Sequence, residues 1–136
     1  MKLEDQVVSL ELSKKLKKLG IEQESLFYWT NPALDFYEIR YGQTNNEDYI
    51  FISAFTATEL VEILSDLEVY RDNGHRKEEL KKYRLNSFGN KYQNEYDINF
   101  SNYNGGTLIV GRGVTAKTEA DAKALMLIYL KENKLI

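Results

Sequence analysis

The chain offers few side chains suited to covalent chemistry. Its one histidine, His75, lies in the polar turn RDNGHRK with no metal-ligand partners nearby, so it reads as a surface residue and not as a base or ligand. There is no cysteine, hence no thiolate nucleophile and no disulfide framework, and no G-x-S-x-G elbow. Glu47 and Asp48 are adjacent acids of a kind routine in loops. On these grounds the chain is expected to be non-enzymatic, without metal or cofactor. Sites assembled from residues distant in sequence stay outside that reasoning.

Two stretches could bind anions. Gly111-Arg112-Gly113 is a G-x-G without the third glycine of the dinucleotide fingerprint and without a helix directly after it. Arg112 between two glycines could still present a guanidinium and open backbone N–H groups, with Lys91 and Trp29 as further contacts to a nucleotide or similar small anion. The plainer account is a bulge with a solvent-facing arginine. Residues 70–92 interleave Arg71, Arg76, Lys77, Lys81, Lys82, Arg84 and Lys91 with Tyr70, Tyr83, Phe88 and Tyr92, the ingredients of a surface that stacks bases and neutralises phosphates. A net charge of −3 and the lack of a recognisable module weigh against nucleic acid.

The elements that must position any site are clearest at the end of the chain. Residues 118–136, TEADAKALMLIYLKENKLI, predict a helix capped by Thr118, with Glu119 and Asp121 at its positive end and Lys131 and Lys134 at its negative end. At 100° per residue, Ala122, Leu125, Met126, Tyr129 and Leu130 share a face that should pack on a sheet, with Lys123, Lys131 and Lys134 opposite. Leu127 falls among the lysines. It reads either as ordinary surface, covered or not by a loop, or as a subunit or partner contact.

Upstream, Leu12, Leu16 and Leu19 predict a first helix, capped by Ser9 or Asp5 and ended by Gly20. Residues 26–30, 36–41 and 49–53 predict strands, the first with Phe27 and Trp29 on one face and Tyr28 on the other. Asn31-Pro32 should turn the chain, and YIFIS is apolar enough for a central strand. Thr56 to Glu59 (TATE) is a capping box, with Phe55 able to staple onto Leu60 ahead of a stripe of Leu60, Ile63, Leu64 and Leu67. Residues 75–83 suggest a short helix, or residues 83–88 a strand turning at Gly89-Asn90. Tyr96, Ile98 and Phe100 alternate as a strand, with a hairpin turn at Asn104-Gly105 and a return over 107–110.

At 136 residues this is one domain, 1–136, without repeats or linkers. The predicted class is α+β: a mostly antiparallel sheet of about five or six strands packed by N-terminal, central and C-terminal helices. No apolar run approaches a membrane span, and the first residues are acidic where a signal peptide is basic, so a soluble, intracellular protein is expected. Residues 31–68 are strongly acidic and 70–92 basic, a dipolar surface that could steer a partner or pair with itself. The ten tyrosines suit strands and half-wet contact surfaces.

The opening EDQVVSLELSKKLKKLG, then QESLFYW and ISAFTATEL, and the closing TEADAKALMLIYLKENKLI resemble a family of small uncharacterised proteins of bacterial phages and prophages. The family pattern has arginine and lysine where this chain has Lys123 and Leu125, so this helix is the more apolar. The resemblance implies a mobile-element accessory protein in the cytoplasm of a bacterial host and carries over no site residue. The leading expectation is a binding protein that contacts a host or phage macromolecule, most simply a protein partner or a second copy. Tyr28, Trp29, Arg112 and Leu127 are its candidate contacts. A small anionic ligand is the alternative, then nucleic acid; no membrane is involved.

Overall fold

In the computed structural model the described residues are 2–44, 48–66, 83–90, 95–102 and 114–134. They form an α+β arrangement. Helix α1 spans Leu3–Gln6 and α2 spans Leu10–Lys18; strands β1, Phe27–Ala33, β2, Phe36–Tyr41, and β3, Phe51–Ser53, come next. Helix α3 is Ala57–Asp66; strands β4, Tyr83–Asn90, β5, Glu95–Asn102, and β6, Val114–Ala116, precede α4, Glu119–Glu132. Among the described residues the strands make two antiparallel sheets, ordered β2-β1-β3 and β4-β5-β6. No described helix is long and apolar enough to cross a membrane.

Local signals explain most element ends. Gly20, at φ +84°, closes α2 in a Schellman arrangement: Ile21 N–H donates to Leu16 O at 3.1 Å and Gly20 N–H to Lys17 O at 3.1 Å. The capping box of α3 is complete, with Thr56 N–H donating to Glu59 Oε2 at 2.7 Å and Glu59 N–H to Thr56 Oγ1 at 3.2 Å. Phe55 and Leu60, the two ends of the staple, are both buried in the core. Thr118 Oγ1 accepts from Asp121 N–H at 3.2 Å and starts α4.

The N-terminal segment divides where one helix was expected. Val7 and Val8 are buried and extended between α1 and α2, with Val7 bridging Thr56. Ser9 stands at the N-cap of α2, but its side chain makes no cap bond; its N–H donates to Asp121 Oδ1 at 2.8 Å instead. The turn expected at Asn31-Pro32 lies at Leu34-Asp35, where Asp35 takes a positive φ. Asn31 and Pro32 occupy a register irregularity of β1, a place where a residue without an N–H is tolerated. Strand β3 is not central among the described residues: β1 is, and β3 is an edge touched by α2.

The largest departure is at α4, which packs against α2, α3, β5 and β6 together. A helix with neighbours on so many sides has no broad wet face. Leu127 is therefore core, 1% exposed, and not a surface or partner contact. Lys123 is buried as well, its ammonium paired with Glu119 one turn earlier. The least buried stripe of α4 runs through Asp121, Leu125 and Tyr129 to Glu132; Tyr129 still packs against the core as expected, whereas Leu125 is half-buried outside it. Asp121 and Glu132 tie that stripe to the α2 region through Ser9 and Lys15, the latter at 2.8 Å. The expected helix at 75–83, the turn at Asn104-Gly105 and the return strand at 107–110 fall on residues outside the described set, except that Tyr83 begins β4.

Candidate interaction surface

One edge of the first sheet is built by the β1–β2 ribbon. Its two strands pair from Phe27↔Tyr41 to Thr30↔Glu38, then shift before Ala33↔Phe36. Burial alternates along β1: Tyr28 and Thr30 are buried, while Phe27 and Trp29 are half-buried on the other face. The ribbon ends in apolar side chains that nothing described covers. Leu34 is 93% exposed, Phe36 53% and Tyr41 76%. Phe27 and Tyr41 meet edge to face at 5.7 Å between centroids, and the Lys14 ammonium sits 4.6 Å from the Tyr37 ring.

Beside the ribbon lies a groove of about 570 Å³ between α1 and β2. Leu3, Trp29, Phe36, Tyr37 and Ile39 form its apolar lining, and Lys2, Glu4 and Glu38 its charged rim. Trp29 is held in place: its indole N–H donates to Val8 O at 2.9 Å, so the ring presents carbon and not a free donor. Glu38 pairs with Arg40 on the same face of β2, both partly exposed.

Of the three described residues that the sequence singled out, Tyr28, Trp29 and Leu127, only Trp29 reaches this surface. Tyr28 is 5% exposed, its hydroxyl accepting from Ser25 N–H at 3.0 Å and its ring edge-on to Phe51. It is a packing residue of the sheet, and the surface role expected for it does not stand. Leu127 is withdrawn for the reason given above. Lys91 and Arg112 lie outside the described residues.

A larger cavity, about 790 Å³, opens where α1 meets the first turns of α3 and α4. Two helix N-termini would favour an anion there. Its lining, however, sets Asp5 and Glu119 against Lys117, and this charge balance opposes one. No group of three or more potential metal ligands occurs among the described residues.

Sequence reasoning missed two things. Leu34 stands at the tip of the turn, which lies at Leu34-Asp35 and not at Asn31-Pro32, and Phe36 follows it at the start of β2, so the two are exposed side by side. Glu59 was read only as part of a helix cap. It is also the acceptor that fixes the lead-in to β1, taking Leu26 N–H at 2.8 Å and the Ser25 hydroxyl at 3.2 Å. Comparison with known proteins adds nothing: no family model, no curated protein and no solved structure matches this chain.

Proposed function

We propose that this chain is a non-enzymatic binding protein that works by contact with another protein, through the β1–β2 ribbon and the groove beside it. The observation that supports the reading is the exposure of Leu34 and Phe36 at the β1–β2 turn, where Phe36 continues into a groove lined by Leu3, Trp29, Tyr37 and Ile39. Isolated exposed leucines are ordinary, whereas a contiguous apolar surface with a polar rim is the usual mark of an interaction site. The rim sets Lys2 against Glu4 and Glu38, which suits a protein and gives no excess of positive charge for phosphates. An accessory role in a phage or prophage, exercised in the cytoplasm of a bacterial host, belongs to the same proposal and rests on the resemblance of the chain's two ends alone.

The test is proximity cross-linking of the purified protein in bacterial lysate, with the cross-linked peptides mapped by mass spectrometry. Cross-links concentrated on residues 34–41, and lost roughly tenfold in Phe36→Glu with unchanged circular dichroism, support the reading. Cross-links that map elsewhere, or that survive the substitution, overturn it.

A further inference from the structure

We propose that the free side of β2 is where two copies of this chain pair, antiparallel about a two-fold axis through Ile39. The inference rests on the protein-binding reading of the ribbon and names its partner.

Among the described residues β2 is paired only with β1, so one side of it presents unpaired backbone groups. Which groups those are follows from the ladder. Residues in an antiparallel pair alternate between those that exchange hydrogen bonds with the neighbour and those that point away. Gly42 N–H donates to Leu26 O at 2.9 Å, in the same register that pairs Tyr28 with Arg40 and Thr30 with Glu38. The even-numbered residues of β2 are thus bonded to β1. Tyr37, Ile39 and Tyr41 direct their N–H and C=O groups outward.

A second β2 must meet those three residues with the same three. Symmetry about Ile39 does so along the whole strand: Ile39 bonds the partner's Ile39, and Tyr37 bonds the partner's Tyr41, twice. The same register sets Glu38 opposite the partner's Arg40 and Arg40 opposite the partner's Glu38, on one face of the combined sheet. Shifting the axis to Glu38 would oppose two glutamates, and shifting it to Arg40 two arginines. An axis at Tyr37 or Tyr41 would leave much of the strand unpaired. Opposite charges and aromatics directly across a ladder favour pairing and like charges oppose it, so one register is selected. The Glu38–Arg40 ion pair within each copy keeps both charges compensated and accessible before they meet the partner. The contact is self-complementary, as a two-fold interface requires. One six-residue strand offers less surface than the roughly 800 Å² per partner of a stable complex, so association is weak and concentration-dependent.

Sedimentation equilibrium of the full chain from about 10 µM to about 1 mM tests this. The wild type is expected to pass from monomer to dimer. Glu38→Arg and Arg40→Glu are each expected to weaken association roughly tenfold or more, because each puts like charges across both pairs. Mixed in equal amounts, the two variants are expected to pair with each other, since two arginines then face two glutamates. Amide exchange should slow with concentration at Tyr37, Ile39 and Tyr41 and stay constant at Glu38 and Arg40. A wild type that stays monomeric throughout, or variants that pair no better mixed than alone, overturns the proposal. If the wild type is monomeric while lysate cross-links still map to residues 34–41, the ribbon binds a different protein: self-pairing falls and the protein-binding reading stands.

Discussion

Leu127→Ala separates the two accounts of the last helix by a wide margin. Leu127 is 1% exposed and belongs to the same buried cluster as Leu16, Phe55, Leu60, Leu64 and Met126. Truncating a buried leucine removes its transfer free energy and leaves a cavity, at a cost of about 2–5 kcal/mol depending on how far the surroundings collapse. The helix that carries it is flanked by α2, α3, β5 and β6, an enclosure that limits collapse, so a loss of about 3–4 kcal/mol is expected. Alanine is the better helix former, so none of this loss can be assigned to propensity. Urea unfolding followed by circular dichroism at 222 nm gives the change by linear extrapolation, and the thermal midpoint should fall by on the order of 10 °C. Lys131→Ala, exposed on the same helix, is the control and should stay within about 0.5 kcal/mol of the wild type. A Leu127→Ala loss below about 1 kcal/mol at unchanged urea slope would place this residue at the surface after all and undo the packing described for α4.

Two further substitutions probe the polar framework by the same unfolding measurement. Glu59→Ala strips acceptors from Thr56 N–H and Leu26 N–H and from the Ser25 and Thr56 hydroxyls, and should cost about 2 kcal/mol. Glu59→Gln, which keeps one acceptor oxygen, should cost less, and equal losses would discredit this network. Thr30→Val should stabilise the protein by about 1 kcal/mol, because the Thr30 hydroxyl is buried in β1 without a hydrogen-bond partner among the described residues and valine fills the same shape; a loss of stability would reveal a partner for it.

What could be read from the sequence was local. The cap at Thr118, the Thr56–Glu59 box with its Phe55 staple, and the left-handed Gly20 each depend on residues within one turn, and each is found as expected. The failures are all tertiary. Projecting 118–136 onto a wheel assumes a helix with one dry face; α4 is enclosed on several sides, and an ion pair with Glu119 lets even Lys123 lie inside. The run ALMLIYL, apolar at every position, was the sign of such enclosure. Asn31-Pro32 failed for a related reason. Proline signals an interrupted ladder as well as a turn, and which of the two it marks is decided by where β1 finds its partners.

Relocating Leu127 also changes where association can occur. With Leu127 inside, the outer stripe of α4 is Asp121, Leu125, Tyr129 and Glu132, and its acidic members are already engaged by Ser9 and Lys15. Among the described residues the most exposed large apolar side chain, Leu34, lies on the β1–β2 ribbon, built from a different part of the chain. Stability and association should therefore respond to different substitutions: Leu127→Ala lowers the unfolding free energy and leaves the monomer–dimer balance of the folded fraction alone, whereas Glu38→Arg does the reverse. Sites that share no partners give nearly additive effects, so the double variant should show both changes at full size. Coupling between them well above about 0.5 kcal/mol would mean that the ribbon leans on α4 and that the surface assigned to binding is part of the core.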